Sequence, residues 1–261
     1  TRGTAPRYWS WTVRALWTCS VDRITDRLTG MENIRRYPER ARTRRADLDA
    51  VLDAAVTCTF ATVVDGLPWV VPMLYARDGD RILLHGSTGA GALRLAASGA
   101  PVAVCVSLLD GVVVAQDLFH SSANFRSAVV RGEVTALPAE ESAAALDALS
   151  DGLIPGRSTE TRAHTRKELA ATATLVLPIR AGQWTVKIRD APPSAPDVSD
   201  GSWAGVVPLR TVADRPVAAP WVADDVPVPE SVRRLVDRYA TSTAMVSATS
   251  AGFSAPSAST A

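Results

Sequence analysis

The chain has 261 residues, of which 47% are apolar and 21% charged, with a formal net charge of +1. That balance is ordinary for a globular protein with a sizeable core, and it leaves no electrostatic footprint for nucleic acid. No apolar run reaches the roughly 18 residues of a membrane-spanning helix.

Cys19, Cys58 and Cys105 are widely spaced and form no CxxC pair. Neither a disulfide framework nor a zinc site is expected, and a cytoplasmic, reducing compartment follows as the reading. Residues 1–36 read as an N-terminal extension. Its first thirty residues hold Trp9, Trp11 and Trp17, and Met31 opens a more regular stretch. The expectation is that Met31 is the natural start, the rival being an accessory helix. Arg35, Arg36, Arg40, Arg42, Arg44 and Arg45 form a basic cluster that reads as a solvated lead-in to a helix. Asp47 is positioned to cap that helix, with Leu48, Val51, Leu52 and Ala55 at helical spacing.

Strands follow. Thr57–Val64 is β-rich and ends at Asp65-Gly66, a hairpin signal. The answering run, Pro68–Ala76, contains Pro68 and Pro72, which imply an edge position or a bulge. Arg81–His85 is a third strand, and Gly86–Gly91 leads into a short helix closed by Gly99. Val102–Leu109 and Val112–Leu118 read as a second hairpin turning at Asp110-Gly111, and Arg126–Leu137 as a further strand. Pro138–Leu149 reads as a helix, Gly152–Gly156 as a loop, and a second helix is expected from Ser158 onward. Leu175–Ile179 and Trp184–Ile188 complete the strands. Beyond them, 190–229 is a Pro-rich connector wrapping the core, Glu230–Tyr239 a helix, and 241–261 a disordered tail. Hairpin turns this short cannot carry parallel crossovers, so the expected class is α+β: an antiparallel barrel with segregated helices.

Three stretches could carry chemistry. His85–Gly91 joins a strand to a helix through three glycines and two hydroxyls, a place where backbone N–H groups favour an anion. Arg94 stands one turn further on. His120–Ser127 packs polar residues between two apolar strands. Lys187 lies in a strand near Trp184, placed to sit over a bound ring or phosphate or to snorkel from an edge. A G-x-S-x-G elbow is missing, and His164 reads as a surface residue.

Four ordered motifs carry a resemblance: FATVVDGLPWVVPMLYARDGDRILLHGST, LLDGVVVAQDLFHSSANFRSAVVRG, WTVKIRDAPP and WAGVVPL. Together they resemble the pyridoxamine 5′-phosphate oxidase-like split-barrel flavin-nucleotide-binding proteins, the group that includes nitroimidazole-resistance-type proteins. The resemblance implies a six-stranded antiparallel split β-barrel over 37–210, with a connector and helix over 211–240. It implies a homodimer with FMN at the subunit interface and a small-molecule substrate. By motif position, Val70, Val71 and Pro72 would line the flavin, and His85, Gly86 and Ser87 would face its ring or ribityl chain. His120, Ser122, Asn124 and Arg126 would form the second wall, and Lys187 would close the site. Gly91 and Ala92 stand where relatives commonly carry a phosphate-binding base, which leaves Arg94 or Arg126 to supply that charge. Three readings follow: a flavin-dependent oxidoreductase using His85 or His120 for proton transfer, a haem- or deazaflavin-binding relative with one of those histidines as haem ligand, or a non-catalytic flavin-binding module.

Overall fold

The computed structural model describes residues 34–241 apart from Ala90, so the expectations for the first thirty residues and for the C-terminal tail lie outside the described residues. Five α-helices and ten strands follow in order: β1 (Ala41–Arg42), α1 (Arg45–Asp53), β2 (Thr57–Val64), β3 (Leu67–Asp78), β4 (Arg81–Ser87), α2 (Gly91–Ala97), β5 (Pro101–Val114), β6 (Ser122–Glu133) and β7 (Thr135–Ala136) come first. Then come α3 (Ala139–Leu153), α4 (Arg166–Ala171), β8 (Thr172–Pro178), β9 (Trp184–Arg189), β10 (Gly205–Pro208) and α5 (Glu230–Thr241). Every described strand pair is antiparallel, in the order β1-β9-β6-β5-β2-β3-β4-β8-β7, with β10 on β5. The α+β antiparallel class is as the sequence indicates. The strand count among the described residues is ten against the six expected: β1 and β7 are two-residue strands, β10 comes from the connector, and seven longer strands remain.

β3 is the hinge of the architecture. Its first half pairs with β2 from Leu67↔Val64 to Leu74↔Thr57, and its second half pairs with β4 from Tyr75↔Leu84 to Asp78↔Arg81. Asp65 and Gly66 both have positive φ (51° and 80°), the backbone a tight two-residue hairpin requires. The principal core lies inside the barrel against α1 and includes Leu48, Leu52, Phe60, Ile82, Leu84, Val104 and Leu177. A smaller core lies outside, where Leu83, Ala76 and Val176 meet Ala145, Leu146 and Leu149 of α3. β4 is therefore apolar on both faces, and the unbroken run Ile82-Leu83-Leu84 follows from that double burial.

Several expectations are corrected. Asp110-Gly111 is no turn: β5 runs straight through it, with the register shift of a bulge against β6 between Leu109 and Gly111. Neither residue has positive φ, and the chain reverses only after Val114. Helix α1 begins at Arg45, so Asp47 lies within its first turn and pairs with Arg44 (2.8 Å) instead of capping. Helix α3 continues through Gly152 to Leu153; a Cβ at Gly152 would come within 2.8 Å of Ala76 Cβ, so glycine lets the helix pack on β3. The long helix expected from Ser158 is a 3-10 turn (Arg157–Glu160) followed by the six residues of α4. Thr165 and Glu168 form a reciprocal capping box there, which starts α4 afresh. No helix among the described residues is long and apolar enough to cross a membrane.

Candidate functional site

The site grows out of the place where β3 and β4 separate. Their ladder stops at Tyr75↔Leu84, and beyond it β4 keeps only β8 as partner, through His85↔Thr174 and Ser87↔Thr172. Side chains alternate along a strand, so His85 points to the same outer face as Leu83, towards α3. By the same alternation Leu74, Pro72 and Val70 follow Ala76 on that face of β3. Under α3 and α4 the fork opens into a cleft of about 320 Å³. Leu74 and His85 line one side; Leu146, Leu149, Ser150 and Leu153 of α3 line another; His164, Glu168 and Thr172 close the rim. A volume of that size accepts a planar ring system.

His85 is half-buried, and its Nδ1 is buried without a hydrogen-bond partner. The hydroxyl of Thr174, its registered neighbour on β8, is likewise buried and unpartnered. Two orphaned polar atoms on paired residues of one face mark a place where a polar group is wanted. His164 is held by Asp147 (Nε2 to Oδ1, 3.2 Å) at the rim. The carboxyl of Glu168 accepts from Arg162 and from the backbone N–H of Thr165, which together hold it well below the usual carboxylate range.

The open flank of β3 adds backbone groups. Tyr75 N–H donates to Val56 carbonyl (3.2 Å), so odd-numbered residues of β3 direct their N–H groups towards β2. Even-numbered ones, Val70 included, direct theirs to the unpaired side. The turn after β4 is pinned as well: Thr88 N–H donates to Ala171 carbonyl (3.2 Å) and Gly89 N–H to Ser87 Oγ (3.2 Å). Gly86 faces inward, where a Cβ would lie 2.3 Å from Leu93 Cδ1, so the glycine leaves the Leu93 side chain of α2 room to pack in its present position.

The sequence-derived residues thus fall into two groups within one chain. His85 lines the cleft at the fork, Val70 and Pro72 lie on the same face further along the open flank of β3, Ser87 ends β4 on that face, and Gly86 faces inward onto Leu93. Val71 packs against the principal core, so its side chain does not line this face. Arg94 is exposed on α2. The second group lies across the sheet, beyond β2 and β5. Asp117 accepts from the backbone N–H of His120 (2.8 Å) and holds its Nδ1 (2.7 Å), on a loop that exposes 95% of Leu118 and 90% of Phe119. Ser122 is exposed at the start of β6. Asn124 is buried and its Oδ1 accepts from Arg189 and from Ala191 N–H. Arg126 is held bidentately by Asp110 (2.9 and 2.7 Å), so its charge is already compensated. Lys187 Nζ donates to Arg36 carbonyl (3.1 Å). His164, Glu168 and the α3 leucines were not legible as site residues, since only the packing of α3 over the fork brings them there.

Among the described residues no cluster of three or more His, Cys, Asp or Glu side chains is arranged to hold a metal ion. An antiparallel barrel whose neighbouring strands part at a fork, as β3 and β4 do here, has the split-barrel architecture. The profile of the pyridoxamine 5′-phosphate oxidase family matches residues 44–187, and the chain belongs to that family. Among solved structures, the chain is 45% identical to the FAD and heme binding protein from Mycobacterium smegmatis, with 76% of this chain and 97% of that one covered and a TM-score of 0.74. It is 32% identical to the flavocytochrome Anf3 from Azotobacter vinelandii, with 78% and 95% covered and a TM-score of 0.73. No curated protein matches the chain.

Proposed function

We propose that this chain is a redox protein that binds a flavin nucleotide along the outer face of β3 and a haem in the cleft at the β3–β4 fork, where His85 would hold the haem. The observation that carries this reading is the His85 ring: an imidazole with a buried, unpartnered nitrogen beside an apolar cleft. Histidines that ligate a metal usually pass their other N–H to an acceptor, which fixes the ring. Thr174 Oγ1, buried and unpaired on the registered neighbour, makes no hydrogen bond to the ring here and is the acceptor that a reoriented ring would reach first. The residues present therefore fit the group. The likeness to an FAD and heme binding protein and to a flavocytochrome, each matched over nearly its whole length, supports the same reading.

FAD is preferred to the FMN expected from the sequence. Gly91 and Ala92 remove the base that would hold a terminal phosphate at the start of α2, and a dinucleotide can take its phosphate contacts elsewhere. When bound, a flavin supplies hydride and single-electron chemistry and a haem supplies single-electron and dioxygen chemistry. The chain's own part is to exclude water with the leucines of α3, to orient the ring with the open flank of β3, and to move protons at the rim through His164, held by Asp147. A small oxidisable or reducible molecule is the expected substrate.

We also read the protein as a cytoplasmic homodimer. Val63 and Val70 leave exposed apolar side chains on one face of β2 and β3, and Leu118 and Phe119 expose a second apolar patch. A second copy would bring its Asp117-oriented His120 towards a fork that a single chain leaves without its second wall.

The absorption spectrum of the purified protein tests the reading. Flavin bands together with a Soret band are expected, and His85→Ala should lose the Soret band while keeping the flavin. Protein that stays colourless after incubation with FAD and haem sinks the proposal. A deazaflavin or a flavin alone would show its own spectrum, and substrate-dependent bleaching of the bands separates an oxidoreductase from a binding module.

A further inference from the structure

The basic run that the sequence left as a solvated lead-in separates into two kinds of residue. Arg44 is paired with Asp47, and Arg45 with Asp49 and Asp80. Arg36 and Arg40 instead gather round Tyr37, their guanidinium carbons 5.2 and 3.9 Å from the ring centroid, and Lys187 Nζ joins them at 5.8 Å. Arg189 stands two residues beyond Lys187 on the same face of β9; burial lowers its pKa first, and the charge of Arg40 lowers it further. Against these four cations, the one carboxylate in ion-pair reach among the described residues is Glu39, 3.5 Å from Arg40 Nε and 63% exposed. Tyr37 holds a left-handed backbone (φ 57°) that is unfavourable for a residue with a Cβ, and no side-chain cap bond requires it.

Like charges held this close repel unless an anion joins them. Arg40, stacked on the Tyr37 ring, presents its N–H groups at the ring's edge, the geometry that grips phosphate oxygens, while Arg36 hydrogen-bonds the Tyr37 side chain beside it. Lys187 spends one donor on Arg36 carbonyl and has two left. We propose that Arg36, Tyr37, Arg40 and Lys187 form a binding site for a pyrophosphate group, either that of a dinucleotide cofactor or that of a free phosphorylated molecule. The site lies on β9 and the segment before β1, apart from the cleft at the fork; as a dinucleotide subsite it rests on the flavin reading, and as a site for a free phosphorylated molecule it goes beyond it.

The test is calorimetric titration of the full chain with inorganic pyrophosphate, repeated on Arg40→Gln and Lys187→Gln, with FAD and FMN titrated in parallel. Pyrophosphate binding should weaken about tenfold for each charge removed and fall with added salt, and Lys187→Arg should restore most of it. Variants that lose FAD affinity but keep FMN affinity assign the site to the dinucleotide. Variants that lose pyrophosphate but keep both flavins assign it to a free phosphorylated ligand. The proposal is overturned if neither pyrophosphate nor FAD distinguishes the variants from the wild-type chain. Whether the wild-type protein carries flavin or haem is read from its own spectrum, so the two readings fail separately.

Discussion

Leu74 and His85 would be the next rung of the β3–β4 ladder after Tyr75 and Leu84, yet they form no pair and both line the cleft. The site exists because two neighbouring strands stop pairing one residue before a histidine. Filling that space should displace whatever occupies it. Leu153→Trp, at the helix end of the cleft, is expected to weaken cofactor affinity by roughly tenfold, the effect of losing about 1.4 kcal/mol of binding, and so to lower the cofactor bound per chain at sub-saturating concentration. The absorbance ratio of cofactor to protein measures it, and an unchanged ratio would place the cofactor elsewhere.

Gly86→Ala tests how tightly α2 is held to the barrel. The new Cβ would stand 2.3 Å from Leu93 Cδ1, and Leu93 is a buried core residue. Overpacking of this kind costs about 1–3 kcal/mol. A lower melting temperature is expected.

Asn124 anchors Arg189, which is buried with no carboxylate partner among the described residues and also donates to the carbonyls of Ala191 and Pro192. Asn124→Ala removes an acceptor from a buried cation and should cost roughly 1.5–3 kcal/mol in urea unfolding. Asn124→Asp keeps an acceptor and should retain most of the stability. Equal losses in the two variants would mean that Asn124 acts through packing alone.

Alkaline pH should destabilise the protein through two buried groups. Burial pushes the Cys58 thiol up to about 12, and it raises the Tyr75 phenol, whose hydroxyl donates to Leu52 carbonyl, well above its ordinary value. In the unfolded chain they ionise near their usual values of about 8.5 and 10. Between those values and the raised ones the native state holds more protons. Stability is therefore full below about pH 8.5 and falls as pH rises towards 12, by up to about 1.4 kcal/mol per pH unit for each group. Urea midpoints across that range check it, and Cys58→Ala should flatten the first limb of the decline.

The strands that pair locally were legible in the sequence. Thr57–Val64 and its Asp65-Gly66 turn emerge with the expected bounds, because that turn needs nothing beyond its own two residues. Asp110-Gly111 carries the same dipeptide and becomes a bulge. There Arg126 holds the Asp110 carboxylate, and Gly111 lies against β10, where a Cβ would be 3.0 Å from Val207 carbonyl. Both partners are distant in sequence, so the dipeptide alone could not tell the two outcomes apart. The candidate site divides in the same way. His85, Gly86 and Ser87 follow from a strand running into a glycine-rich turn, whereas His164 enters only because α3 crosses the fork and offers Asp147 to it.

Pro68 and Pro72 lie in the half of β3 that no strand flanks on the β4 side. A bare strand edge invites another strand to zip along it, whether from the same molecule or from a neighbour in a concentrated solution. Their missing N–H groups fall on that open side, so an invading strand finds that two of the three outward positions from Pro68 to Pro72 offer no donor. The protein thereby keeps its aperture by withholding donors, without needing a loop to guard it.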